Sequence, residues 1–310
     1  MTKTVTSCDL IPSIVTEAML EDYVKIGFLP AKDIIHWHAP NPGEAKPQPQ
    51  ADKVIVFTDH MNRGFSPPGS KFFRDVLHFM QLHPQDIGPN SISNICNFQV
   101  FCEVYLQEEP SFDLFREYFY LNRQNEFTDG PSQELGGISI QRCRDAIFPY
   151  ASLPSHPKDW NQTWFYCKDT YPADENLLPG YRDQRLNPKH PLPGRLTTAE
   201  RAKLAPTFSK VRALLGNGLT GVDLVRCWVA WRIIPLSHRS GLMCTYTGDP
   251  NDPLCYNSMR LTDKAINDMT KTLLNESLES CSKVGLNPFC IVNPTPDVSL
   301  SSLYTLLHCS

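Results

Sequence analysis

The sequence predicts a mainly helical α+β protein: a helical N-terminal domain, a small antiparallel β element, and a C-terminal helical segment. Three observations predict it. Apolar residues recur at helical spacing in seven segments, five of them with a start signal of the Ser/Thr type. Two short stretches, "GGISIQRC" and "DWNQTWFYCKD", have instead the alternation and aromatic content of strands. Hydrophobic residues make up 41% of the 310-residue chain and charged residues 20%, enough apolar material for a real core.

Taken in order, residues 1–50 hold a helix in "TEAMLEDYVKIGFLP", closed by Gly27, and then the Pro-rich loop "HAPNPGEAKPQPQ". A core domain follows over 51–169. It opens with "KVIVF" (Lys53 to Phe57), a β-branched run suited to a buried strand. "GSKFFRDVLHFMQL" is a helix capped by Ser70. "NSISNICNFQVFCEVYLQ" is a mostly buried helix. "SFDLFREYFYLN" is a third, capped by Ser111, and its apolar residues nearly surround it, which places it centrally. The two strand-like stretches that end the domain are expected to pair with each other.

Residues 170–195 carry five Pro and little periodicity, and read as a linker. The segment 196–279 holds three helices. The first opens with a Thr197/Glu200 capping box and is interrupted at Pro206; the second starts at a Thr220/Asp223 box; the last is capped by Thr262. The tail 280–310 has no clear pattern and is expected to be poorly ordered.

The net charge is −4, which excludes a chain that coats nucleic acid along its whole length. Between Arg195 and Arg239, however, eight bases face two acids, a local +6. Lys203, Lys210, Arg212, Arg226 and Arg232 are the candidate nucleic-acid contacts on this helical pair. Eleven Cys without a C-x-x-C pair, and no apolar run near the ~20 residues of a membrane span, predict an intracellular protein of cytoplasm or nucleus.

Chemistry-bearing signals are few. His36 and His38 flank Trp37 and could share a metal on a strand, but no complete ligand set accompanies them. Cys244 and Cys255 likewise lack partners for zinc. Asp59 and His60 are neighbours, and successive strand residues face opposite ways, so they do not form a dyad; Asp59 is expected to cap the turn completed by Arg63 and Gly64. There is no phosphate-binding G-x-x-x-x-G-K-[ST] motif. No catalytic residue, metal, cofactor or small-molecule ligand is expected.

The order of short motifs along the chain resembles a known family. "VFTDH" with "RGF", "FF-x-x-x-L", "L-x-P-x-x-I-x-PNSI", "EPSFDLF", "GGISIQ", "WNQTWFYCKD", "RALLGNGLTG" and "YTGDPNDP" together resemble the gypsy-type transposon, or transposase, domain that plant genomes carry in many copies, grasses above all. The resemblance makes Phe57, Thr58, Asp59, His60, Arg63, Gly64 and Phe65 a family-motif turn of structural character. It implies a product of long-terminal-repeat retrotransposons. Reverse-transcriptase Tyr-x-Asp-Asp, aspartic-protease Asp-Thr/Ser-Gly and the integrase His-His-Cys-Cys element are all missing. The first expectation is therefore a non-catalytic, gag-like structural or assembly protein that self-associates. A nucleic-acid-binding module using the basic helices comes second, and a metal-dependent transposase or nuclease third.

Overall fold

The computed structural model describes residues 10–25, 29, 31–33, 35–48, 52–65, 67, 69–123, 136–153, 159–169, 176–182, 194–229 and 263–274. Helix α1 (Glu17–Lys25) precedes strands β1 (Trp37–His38) and β2 (Lys53–Phe57). Then come α2 (Thr58–Met61), α3 (Lys71–Met80), α4 (Pro89–Val100) and α5 (Phe112–Tyr118). Strands β3 (Phe119–Arg123), β4 (Ile138–Arg142) and β5 (Trp164–Lys168) lead to α6 (Thr198–Lys203), α7 (Ala205–Gly216), α8 (Gly221–Trp228) and α9 (Asp263–Leu274). The result is an α+β fold with two small antiparallel sheets.

The two late strand-like stretches do not pair with each other. β5 is the middle strand of β1-β5-β2, with Val54 opposite Cys167 and Phe57 opposite Trp164. β4 pairs instead with β3, Leu121 opposite Ile140. The expectation failed because α5 is shorter than its apolar content suggests. It ends at Tyr118, and Phe119–Arg123 passes directly into a strand that takes up β4. A segment apolar on all sides fits a buried strand as well as a buried helix, and periodicity alone does not separate the two.

β2 is buried on both faces, which is why it reads as a continuous β-branched run. Val54 and Val56 enter the main core with the helices, while Ile55 and Phe57 join a smaller cluster with Leu10, Trp160, Trp164 and Tyr166. The main core is strongly aromatic. Phe98 meets Phe115 edge-on at 5.1 Å, Phe115 stacks on Phe119 at 4.9 Å, and Phe148 meets Phe101 at 5.0 Å.

α4 runs through the middle of the protein, and all its residues but Asn90 are buried. Several of its polar side chains find partners inside. Asn97 donates to Ser93 O at 2.8 Å, Gln99 donates to Glu103 at 2.8 Å, and Gln99 accepts from the Ser70 hydroxyl at 2.8 Å. The helix continues as a π-helix over Phe101–Leu106 and stops at Gln107 in the left-handed region, φ 55°.

The start signals hold where they can be seen. Ser70 accepts from Phe73 N, Ser111 accepts from Leu114 N, and Thr197/Glu200 and Thr220/Asp223 form complete capping boxes. Helix α6 ends at Lys203, and Pro206 sits in the first turn of α7, where its missing N–H costs nothing. The expected Gly27 and Thr262 caps and the tail 280–310 lie outside the described residues. Residues 176–182 lie against the body of the protein: Leu178 is buried, Gln85 donates to Arg182 O at 2.6 Å, and Arg182 is ion-paired with Asp86 at 2.6 Å.

Candidate functional site

The turn 57–65 is built where β2 runs without a break into α2. Because of that junction the cap position falls on Phe57, a strand residue with no side chain able to cap, and Asp59 is not the cap. Its carboxylate instead accepts from the Thr163 hydroxyl at 3.2 Å, fastening the turn to the approach of β5. His60 is buried, with Nε2 3.1 Å from Ile87 O and its ring stacked on Trp160 at 5.2 Å. Asp59 and His60 thus serve different elements.

Arg63 is 9% exposed and its Nη1 has no hydrogen-bond partner; burial, opposed by Asp59, pulls its pKa down. Gly64 has φ +95°, and a Cβ there would stand 2.7 Å from Trp228 Nε1, so the glycine admits α8 close to the turn. Thr58 is buried, and Phe65 leans on Phe73 at 4.9 Å. Every side chain of the motif is enclosed except Asp59, which is half-buried.

His36 and His38 do sit close, ring centres 6.4 Å apart, but His38 stacks on Tyr166 at 4.7 Å and has Lys53 Nζ 3.4 Å from its Nδ1. The Lys53 ammonium thus stands at one of the two ring nitrogens through which His38 could ligate a metal. Among the described residues no group of three or more His, Cys, Asp or Glu is placed to hold a metal. Cys244 and Cys255 lie outside them.

The basic helices are partly neutralised from elsewhere in the chain. Lys210 is ion-paired with Glu108 at 2.5 Å and Arg201 with Glu117 at 2.6 Å. Arg226 is half-buried on α8, its Nε enclosed without a partner. Lys203 and Arg212 stand exposed, with no ion pair to a described residue. Arg232 and Arg239 lie outside the described residues. Glu108 and Glu117 come from the N-terminal half, so no spacing rule within 195–239 could reveal them.

Two other motifs converge on a polar cavity of about 340 Å³ between the start of α4 and β4. "PNSI" supplies Asn90 and Ser91, and "GGISIQ" supplies Gly136, Ser139 and Gln141. Ser91 Oγ accepts from Ile140 N at 3.0 Å and Asn94 donates to Ile140 O at 2.8 Å, so α4 side chains satisfy the outer edge of β4 as a third strand would. Arg142 lies 5.3 Å over the Tyr150 ring at the rim. The described wall contains amides, hydroxyls and one guanidinium but no carboxylate and no histidine. It can bind a polar group; it has no general base to activate Ser91.

Residues 54–123 match the model of a family described as "Putative gypsy type transposon". No curated protein and no solved structure matches the chain. Among the described residues no helix is long and apolar enough to cross a membrane.

Proposed function

We propose, from the match of residues 54–123 to the family described as "Putative gypsy type transposon", that the chain is a non-catalytic, retrotransposon-derived structural protein that works by assembly, as a gag protein does. The observation that carries this reading is the fate of the polar side chains in the motif turn. His60 and Arg63 are buried, and Asp59 holds Thr163, so the polar groups of the turn are engaged in packing it against its neighbours. The surface supplies an apolar feature suited to self-association. Phe79 of α3 is 52% exposed and stacks on Phe112 of α5 at 4.8 Å. The described cysteines are buried and in no disulfide, in keeping with a reducing compartment.

The test is light scattering behind size exclusion over a range of concentrations. Concentration-dependent oligomers that Phe79→Asp returns to monomer are expected. A chain that stays monomeric throughout would end the assembly reading.

A second reading, a nucleic-acid-binding module, is favoured by the exposure of Lys203 and Arg212. It predicts oligonucleotide binding that weakens with salt and that the Lys203→Glu/Arg212→Glu pair reduces. Lys210, Arg226 and Arg232 contribute less or lie beyond the described surface.

A further inference from the structure

A second cavity, of about 410 Å³, opens between the end of α5, strand β3 and the turn after β4. Its volume lies in the range of small-ligand sites, about 300–1,000 Å³. Its lining includes the buried apolar residues Met80, Phe119 and Leu121. It also includes three guanidiniums, Arg116, Arg144 and Arg195, with Asp145 as the one carboxylate among the described lining residues. Tyr120 lines it too, from the exposed side of β3, where it alternates with Phe119 and Leu121. Its ring is 42% exposed, and its hydroxyl donates to Gln141 at 3.0 Å, which fixes the ring.

The three arginines differ in state. Arg116 is held fast, by Asp113 at 2.9 Å, by Glu200 at 2.7 Å, and by donation to Gly194 O at 3.3 Å. That last bond anchors the backbone next to Arg195 and so presents Arg195 to the cavity. Arg144 and Arg195 are exposed and ion-paired with no described residue. Each keeps its planar fork of donors available, the geometry that receives phosphate oxygens two at a time. Glu117 lies nearby but is engaged by Arg201 at 2.6 Å.

We propose that this cavity binds a nucleotide unit: the phosphate between Arg144 and Arg195, the base on the exposed Tyr120 ring. A bare anion would leave that ring unused, and an apolar ligand would leave two guanidiniums unanswered. A nucleotide answers both, by charge-assisted hydrogen bonds and by base–aromatic stacking. The unit is either free or part of a single strand. The site is separate from the exposed pair Lys203 and Arg212, and it does not depend on self-assembly.

The experiment uses the full chain. Binding of AMP, of inorganic phosphate and of a fluorescent single-stranded 12-mer is followed by calorimetry and anisotropy, for the wild type, Arg144→Glu/Arg195→Glu, Tyr120→Ala and Lys203→Glu/Arg212→Glu. AMP binding that the first double variant weakens at least tenfold supports the proposal with a free nucleotide as ligand. Binding of the 12-mer alone, weakened in the same way while Lys203→Glu/Arg212→Glu stays within about twofold, supports it with a strand as ligand. In either case Tyr120→Ala should cost about five- to tenfold, within the range of base–aromatic stacking. Absence of binding to both, equal binding of inorganic phosphate, or indifference to Arg144→Glu/Arg195→Glu overturns it. A readout independent of variant folding is available on the wild type. Bound nucleotide should protect Arg144 and Arg195, and not Arg212, from phenylglyoxal as read by mass spectrometry; equal labelling with and without nucleotide also overturns the proposal. Light scattering reports assembly separately, so failure here and failure of the assembly reading are distinct results.

Discussion

Arg74 sets its guanidinium against the carboxylate of Asp169 in a two-point pair, Nη1 to Oδ2 at 3.1 Å with Nη2 on Oδ1, and the two side chains are 0% and 7% exposed. The same guanidinium donates to Gly69 O at 3.4 Å and Asn176 O at 3.2 Å, while Asp169 also accepts from Leu178 N at 3.0 Å. One buried pair thereby joins α3, the end of β5 and the segment 176–182.

Removing either partner leaves the other charge buried without its counterion, at a cost of about 3–5 kcal/mol. Arg74→Ala and Asp169→Ala should each lower the denaturation midpoint strongly in urea. Arg74→Met combined with Asp169→Leu should lower it less than either single change. If the double variant loses as much as the two singles together, the pair is not coupled as described.

Gly221 opens α8 with its backbone against residues 150 and 151, and a Cβ added there would come within 2.0 Å of Tyr150 C. Backbone cannot swing aside as a side-chain tip can. Gly221→Ala should therefore cost about 3 kcal/mol, at the upper end for overpacking. Gly64→Ala should cost about 1–3 kcal/mol from its left-handed φ and its approach to Trp228. Thermal melts of the two variants check both values, and a Gly221→Ala protein as stable as the wild type would contradict the packing described.

Glu200 accepts from the Thr197 backbone N–H at 2.7 Å and from its hydroxyl at 2.8 Å, and also receives Arg116; these bonds hold its pKa down, from 4.5 to about 2. Its folded pKa is depressed, so its stabilising contribution is complete above pH 4.5 and is lost as the pH falls toward 2. The side-chain carboxyl resonance of Glu200 should titrate with a midpoint near 2, and Glu200→Gln should remove that part of the acid dependence. A midpoint at the ordinary 4.5 would refute the box in solution.

His38 behaves in the same direction in a different range. Burial, with the Lys53 ammonium beside it, lowers its pKa from 6.5; Glu17 opposes the shift, and His36 and Lys32 add to it. The neutral ring is the one the fold prefers. Stability from this site is present above pH 6.5 and is lost as the pH drops toward the depressed value. His38→Phe should keep the stack on Tyr166 and flatten the stability profile between pH 7 and 5, read by urea denaturation at each pH.

What was legible in the sequence follows the range of the interaction. Ser70, Ser111, Thr197/Glu200 and Thr220/Asp223 were readable because a cap and its helix lie within four residues of each other. The break ahead of Pro206 was readable for the same reason. The strand partners were not. β2 meets β5 across more than a hundred residues, and alternation in each strand says nothing about which partner it takes. Asp59 looked like a cap because its residue type fits, but the strand-to-helix junction placed the cap at Phe57. Glu108 and Glu117, which engage Lys210 and Arg201, leave no mark in the local charge count. Arg144 carries no signal in the sequence, since Arg142 and Asp145 beside it have opposite charges and no periodicity surrounds it; only the fold brings it to Arg116 and Arg195.

The registers of the two sheets decide where this protein can be cut. The stretch 54–123 contains β2 without β5 and β3 without β4, so each strand inside it has its hydrogen-bonding partner outside. Excised at those limits, the segment would present to water two orphaned strand edges and an aromatic core stripped of Trp37, Phe148, Phe165 and Trp228. The matched stretch is therefore expected not to fold as an autonomous unit. During synthesis Val54 must wait until Cys167 has left the ribosome before its ladder can close. An expression fragment that begins ahead of β1 and ends beyond Asp169 is the shortest one that keeps both ladders and the Arg74 anchor together.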